Sequence, residues 1–269
     1  MKRLKRFLTV TLATALSVTM TSAAFLWGGI GSTCIAYAAS DTVAATGQCG
    51  DNLTYTVTGD NESGYAISIT GTGDMNNYGL DEWAAPWRDY NFKSISIGDG
   101  VTSIGAYAFV LNGNKVKLTI GKKVKSIGEC ACLQTGITGT LTIPASVQTI
   151  GEAAFQETAI TKLVLGKGIK ELGDYAFCDC WSLKTIDASK SSKLTLIGDV
   201  CFNSDDQLKT MKINANKLKE VGNQSLSTYA TTKVTVIAKT KSTYNKAVKL
   251  LKDGDREGFS TLKFAYKKG

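Results

Sequence analysis

The residues best suited to chemistry are thiols. "ECACL" (129–133) and "FCDCWSL" (177–183) each hold two cysteines one residue apart, and Cys34, Cys49 and Cys201 stand alone. Four thiolates from Cys130, Cys132, Cys178 and Cys180 would make a zinc site if their sulfurs could meet at about 2.3 Å from one ion. Any two whose Cα atoms lie within about 7 Å could form a disulfide. The chain has no histidine, which removes the Ser-His-Asp and Cys-His pairings and the commonest metal ligand. An enzyme would be left with two carboxylates about 5–10 Å apart in a cleft, as in glycoside hydrolysis. Whether thiols or carboxylates meet is decided by the elements that hold them.

Those elements repeat. "SIGAYAF" (103–109) returns as "SIGECAC" (126–132), "TIGEAAF" (149–155), "ELGDYAF" (171–177), "LIGDVCF" (196–202) and "EVGNQSL" (220–226). An aliphatic-glycine pair recurs at Ile104-Gly105, Ile127-Gly128, Ile150-Gly151, Leu172-Gly173, Ile197-Gly198 and Val221-Gly222, in steps of 23, 23, 22, 25 and 24 residues. Five residues after each aliphatic stand Phe109, Cys132, Phe155, Phe177, Phe202 and Leu226. Before each pair runs a short apolar-x-apolar segment ending at Ile97, Ile120, Ile143, Leu165, Ala188 and Ile213, and a seventh ending at Val236 follows the last pair; these segments have the period of a strand. One strand per unit of about 23 residues implies a solenoid whose coils bury apolar side chains only against their neighbours. The glycine of each pair is expected to allow a turn or a close approach that a side chain would block, with Gly173 making the bend of its coil.

"LTIPASVQTIGEAAF" (141–155) and "FCDCWSLKTI" (177–186) resemble the BspA-like class of leucine-rich repeat. "CGDNLTYTV" (49–57), "SITGTGDM" (68–75) and "APWRDY" (85–90) resemble the segment that often precedes such repeats. The resemblance implies a leucine-rich-repeat solenoid, mostly β, with parallel strands on one face and short turns or strands on the other. It also implies an exported, non-enzymatic module for recognition or adhesion. Cys132 and Leu226 depart from the pattern where it has Phe, and "DASKSSKLT" (187–195) lengthens one coil.

The ends read as caps. Leu53, Tyr55 and Val57 and then Tyr65, Ile67 and Ile69 alternate around "GDNESG", a β-hairpin pattern. Trp83, Trp87 and Tyr90 follow and are expected to pack the cap against the first coil. Near the C-terminus Tyr244, Ala247, Val248 and Leu251 share one face of a short helix that stops at Gly254, with Lys246, Lys249 and Lys252 facing away. Lys2, Arg3, Lys5 and Arg6 precede the apolar run Phe7–Met20, and Ala36-Tyr37-Ala38 suits signal peptidase. The expected organisation is therefore a signal peptide over 1–38 (with Ala23 an earlier alternative site), an N-terminal β cap over 39–91, repeats over 92–238 and a C-terminal cap over 239–269. No later stretch approaches the roughly 20 apolar residues of a membrane span. The expected protein is secreted or held on a surface non-covalently.

The formal charge of +8 includes those four basic residues. Residues 41–100 carry nine acids and two bases, whereas residues 101–269 are net +11. A basic face of this kind attracts anionic polymers or surfaces.

Repeat register separates the thiols. Cys130 and Cys132 belong to the second coil and Cys178 and Cys180 to the fourth, so at about 5 Å per coil neither zinc nor a disulfide can join them. A bridge from Cys201 to Cys178 or Cys180 stays open, and mostly unpaired thiols are expected. Between the buried strand positions, outward side chains form two rows: Ser94, Lys117, Thr140, Lys162, Thr185, Thr210, and Ser96, Thr119, Thr142, Val164, Asp187, Lys212, with Lys184 and Lys209 alongside. One acid, Asp187, offers no carboxylate pair, so neither acid–base catalysis nor a cofactor or metal is expected. The partner expected is a protein or glycan, anionic or rich in hydroxyls. Aromatics do not interleave with the lysines, which argues against nucleic acid. A structural, self-associating envelope component is the rival reading.

Overall fold

The computed structural model describes residues 42–255 and 260–269, so the signal peptide expected over 1–38 lies outside the described residues. Strands β1 (Val43–Gly50), β2 (Leu53–Asp60) and β3 (Gly64–Gly71) form an antiparallel meander, followed by the two-residue β4 (Gly73–Asp74). The chain then alternates long and short strands: β5 (Phe92–Ile97) and β6 (Val101–Ile104), β7 (Asn114–Thr119) and β8 (Ser126–Ile127), β9 (Gly136–Thr142) and β10 (Thr149–Ile150). It continues with β11 (Ala159–Val164) and β12 (Glu171–Leu172), β13 (Thr185–Ala188) and β14 (Leu196–Ile197), β15 (Thr210–Asn214) and β16 (Glu220–Val221). β17 (Thr231–Ala238), helix α1 (Lys241–Asp253) and β18 (Thr261–Lys268) complete it.

Long strands stack into one sheet of eleven, from β1 to β18, and short strands into a second sheet of seven, from β4 to β16. From β3 onward the pairings in both sheets are parallel. Each coil is thus one long strand, a turn, one short strand and a return turn. Ile104, Ile127, Ile150, Leu172, Ile197 and Val221 pair in succession across the second sheet. Ile97, Ile143, Leu165, Ala188, Ile213 and Val236 are buried behind the first.

Between the sheets the aromatic column is continuous in two stretches. Phe155 stacks on Phe177 at 5.4 Å between centroids, and Phe177 on Phe202 at 5.6 Å. Trp87 of the cap stacks on Phe109 at 5.7 Å, with its indole N–H donating to the Ala108 carbonyl at 2.8 Å. Cys132, fully buried, interrupts the column between Phe109 and Phe155. Burying each ring contributes about 1.5–3 kcal/mol. The expectation for the cap tryptophans needs one correction. Trp87 is buried and Tyr90 packs edge-on against Tyr65 at 4.8 Å, but Trp83 is 71% exposed.

The glycines act by close approach, and not by making the bend. A Cβ on Gly173 would lie 2.7 Å from the Glu152 nitrogen, and one on Gly128 2.6 Å from the Ala106 nitrogen, both on the preceding coil. Left-handed backbone sits instead at Tyr107, Cys130, Ala153, Tyr175, Val200 and Gln224, with φ between 48° and 58°. A second set follows four residues later at Leu111, Gln134, Glu157, Asp179 and Ser204. Left-handed non-glycine residues cost about 1–2 kcal/mol each. Here they turn alternate N–H groups along the solenoid axis: Tyr107, Phe109 and Leu111 donate to the carbonyls of Glu129, Ala131 and Leu133 at 3.0, 2.8 and 2.9 Å. The same ladder recurs from coil to coil, so inter-coil hydrogen bonds offset the local strain.

Helix α1 closes the C-terminal end. Thr240 caps it, its hydroxyl accepting the Thr243 N–H at 3.1 Å. Ala247 and Leu251 are buried, and Tyr244 and Val248 pack against the core at their edges. β1 and β18, both absent from the sequence-based expectation, add the outermost strands of the large sheet.

Candidate recognition face

All six cysteines of the described residues are unpaired and buried. Among the described residues no group of three or more His, Cys, Asp or Glu side chains is placed to hold a metal ion. Burial pushes the Cys49 thiol up to about 11 and the Cys132 thiol to about 12. Burial, reinforced by nearby Asp205, also holds Cys180 and Cys201 well above the ordinary thiol range. Such thiols stay protonated at neutral pH and make poor nucleophiles.

Cys180 belongs to a buried polar column that sequence reasoning did not single out. Asn112, Thr135, Thr158, Cys180 and Asp205 occupy one inward position in successive coils, and all are buried. Their side chains serve carbonyls and N–H groups freed where the return turn ends. Asn112 Oδ1 accepts the Phe92 N–H at 3.1 Å, and Thr135 donates to the Phe109 carbonyl. Thr158 donates to the Phe155 carbonyl at 2.9 Å, and the Cys180 thiol donates to the same carbonyl at 3.3 Å. Asp205 Oδ1 accepts the Cys180 N–H at 2.9 Å, while its buried Oδ2 has no hydrogen-bond partner. Burial, with Asp179 and Asp206 adding to it, raises the Asp205 carboxyl well above its ordinary range despite that N–H. The recurring signal was present eight residues after each aliphatic from Ile104 to Ile197, where every residue is small and polar.

The outward face of the large sheet is a different surface. Thr140, Lys162, Thr185, Thr210 and Lys233 are paired neighbours across β9, β11, β13, β15 and β17. Thr142, Val164, Asp187, Lys212 and Thr235 form the adjacent row. Toward the N-terminus, Ser94 pairs with Lys117 and Ser96 with Thr119. The junction between β7 and β9 is irregular, with Asn114 paired to Gly136 and Val116 to Ile137, so the rows step there. Lys117, Thr119, Thr140, Thr142, Lys162, Lys184, Lys209 and Lys212 are exposed, and Asp187 is half-buried. Lys209 follows Lys184 on the next coil, its N–H donating to the Lys184 carbonyl at 3.0 Å.

Asp187 is the one carboxylate in these rows. Partial burial raises its pKa, but the Ser189 hydroxyl and N–H and the nearby Lys212 and Lys162 outweigh that and hold it below the usual range. It is therefore an anion flanked by cations, fixed by the Ser189 N–H at 3.0 Å. No second carboxylate stands beside it in either row. The face can offer ammonium and hydroxyl donors to a ligand lying across several strands.

This fold, with one long strand per coil and buried aliphatic, glycine and phenylalanine columns, defines a leucine-rich-repeat solenoid. The BspA type leucine rich repeat region matches residues 87–139 and 131–250 in six copies, and the chain belongs to that family. A search of curated proteins finds no match. Among solved structures the chain is similar to a leucine-rich repeat protein from Eubacterium ventriosum, at 17% identity over 73% of each chain with a TM-score of 0.42. It is also similar to a leucine rich cell surface protein from Faecalibacterium prausnitzii, at 16% identity over 67% of this chain and 74% of that one, TM-score 0.26. The pneumococcal vaccine antigen PcpA matches at 10% identity over 84% of this chain and 100% of that one, TM-score 0.23.

Proposed function

We propose that the protein is an exported, non-enzymatic recognition module that binds a protein or glycan, anionic or rich in hydroxyls, across the outer face of its large sheet. One observation carries this reading. Lysine and threonine side chains stand in paired rows over at least five parallel strands, with Asp187 the one acid among them. Solenoids of this kind present such extended faces to partners. A single carboxylate without a facing partner supports binding over hydrolysis.

The basic n-region, apolar run and Ala36-Tyr37-Ala38 support export, and family membership supports a secreted or surface-associated protein. Among the described residues no helix is long and apolar enough to cross a membrane. A self-associating structural role is the second reading, supported by the outer edges of β1 and β18, eight residues each, which pair on one side only. A mass in solution that rises with concentration would favour it.

The test of the first reading is charge reversal at Lys117, Lys162 and Lys184 together. Loss of binding to the glycan or protein recognised by the native protein is the expected result. Unchanged binding would remove the face from consideration.

A further inference from the structure

From the second coil onward the charged turns segregate, lysines on one side of the solenoid and acids on the other, independently of the strand face. After the first such turn, which holds Asp99, the turns leading from a long strand to a short one, at residues 120–125, 143–148, 165–170, 188–195 and 213–219, hold no acid, and only that at 143–148 is uncharged. Lys122, Lys123 and Lys125 stand in the first of these and Lys167 and Lys170 in the third. Lys190 and Lys193 follow in the fourth, Lys217 and Lys219 in the fifth, and all nine lysines are exposed. Return turns, at residues 129–136, 152–158, 174–182 and 199–207, hold eight acids and neither lysine nor arginine. The solenoid therefore has a basic edge and an acidic edge on opposite sides.

Backbone bonds put the basic edge in register. The N–H of Lys125 donates to Thr102, Gln148 to Lys125, Lys170 to Gln148, Thr195 to Lys170 and Lys219 to Thr195, at 2.7 to 2.9 Å. Four coil steps of about 4.8 Å span roughly 20 Å, so nine charges lie along that length. Among the described residues one ion pair touches the edge, Lys122 to Asp99 at 3.2 Å, at its N-terminal start. Glu171 and Glu220 are the nearest acids in sequence, on β12 and β16 beyond the turns. At its C-terminal end the edge opens into a cleft of about 600 Å³ lined by Thr195, Lys217, Lys219, Ser242, Thr243 and Lys246. Asn216 forms a fixed wall of this cleft, accepting the Lys239 N–H at 2.8 Å and donating to Asn214 Oδ1 at 2.9 Å.

We propose that this lysine edge binds a linear polyanion, a sulfate- or phosphate-bearing chain laid along the solenoid axis with one anionic group in the terminal cleft. The charge density decides the class of ligand. A single small anion would use two or three of the nine lysines, and a neutral glycan none. A second copy of the chain, offering its acidic edge, would form exposed ion pairs that contribute little each and require two flexible side chains to be held. A polyanion instead releases its condensed counterions when lysines neutralise it, a gain that grows with the number of contacts. The acidic edge repels the same chain and confines it to one side. This site is separate from the strand face and does not rest on the reading given for that face.

The test is calorimetric titration of the full chain with a heparin oligosaccharide at several salt concentrations. The logarithm of affinity should fall linearly with the logarithm of salt. Joint replacement of Lys167, Lys170, Lys217 and Lys219 by Glu should weaken binding at least about tenfold, and by Gln less so. All four side chains are exposed, so the Gln variant keeps the fold and separates charge loss from unfolding. Reversal of Lys117, Lys162 and Lys184 should change heparin affinity by less than about threefold. Equal binding by the edge variants and the native protein overturns the proposal, as does an equal loss in the strand-face variant. Absence of heparin binding together with a salt-sensitive dimer that the edge variants abolish would assign the edge to a second copy and also overturn it.

Discussion

Phe155 and Phe177 stack with ring centroids 5.4 Å apart and planes 7° from parallel, although 22 residues of chain separate them. That relationship ties the repeat to the core: each coil presents one ring, and the ring of the next coil covers it. Phe177→Ala should therefore destabilise by about 3–5 kcal/mol, as large-to-small core truncations do. Thr142→Ala, on the exposed face of β9, should stay within about 0.5 kcal/mol of the native protein. Denaturant midpoints for the two variants check this, and similar midpoints would mean that the column does not face the core.

Gly173 and Gly139 separate two reasons for glycine. Gly173 has ordinary φ but no room, whereas Gly139 has a φ of 75° and nothing within 4 Å of an added Cβ. Gly173→Ala must push adjacent coils apart and should destabilise more than Gly139→Ala, which carries only the left-handed penalty of about 1–2 kcal/mol. Thermal melts of the pair supply the comparison. Equal losses would contradict the close approach.

Asp205 makes stability depend on pH in an unusual direction. Its folded pKa is raised by burial, so the native state holds a proton that the unfolded chain releases above about pH 4. The stability it contributes is complete below that pH and is lost as pH rises toward the folded pKa, at up to about 1.4 kcal/mol per pH unit. Asp205→Asn should remove this slope and match or exceed the native protein at neutral pH, since Asn112 fills the same inward position and accepts the same kind of N–H bond. Melting temperatures of both proteins from pH 4 to 8 test it. Parallel curves would show that Asp205 is ionised in the native state.

The cysteines should behave as core side chains. Native protein should react slowly with a thiol reagent at neutral pH, because burial raises every one of the six thiols. Denaturation of the mature chain without reductant should release all six, the seventh cysteine, Cys34, lying within the expected signal peptide. Recovery of only two or four would reveal a bridge, for which Cys201 with Cys178 or Cys180 is the first pair to examine.

Much of this architecture was legible because it recurs. Ile104, Ile127, Ile150, Leu172 and Ile197 stand at a spacing that only a coil could produce, and the second sheet pairs them in that order. The left-handed residues were hidden because Tyr175 or Val200 has no intrinsic preference for that backbone; hydrogen bonds between coils impose it. β18 went unseen although Leu262, Phe264 and Tyr266 alternate, since its place beside β17 depends on a return after α1 that no local pattern announces. The glycine column was visible, but the reason for it was not: crowding by the neighbouring coil shows only once coils are stacked. On the strand face, identities and spacing defined which side chains point outward. They do not define what a ligand there must be, because lysine and threonine serve many partners.

The most direct test of the recognition reading is a glycan array probed in parallel with the native protein and with the variant in which Lys117, Lys162 and Lys184 are replaced by Glu. Apart from sulfated chains held by the separate lysine edge, the account predicts a set of anionic or hydroxyl-rich glycans bound by the native protein and lost by the variant. An identical set of non-sulfated glycans bound by both would contradict it.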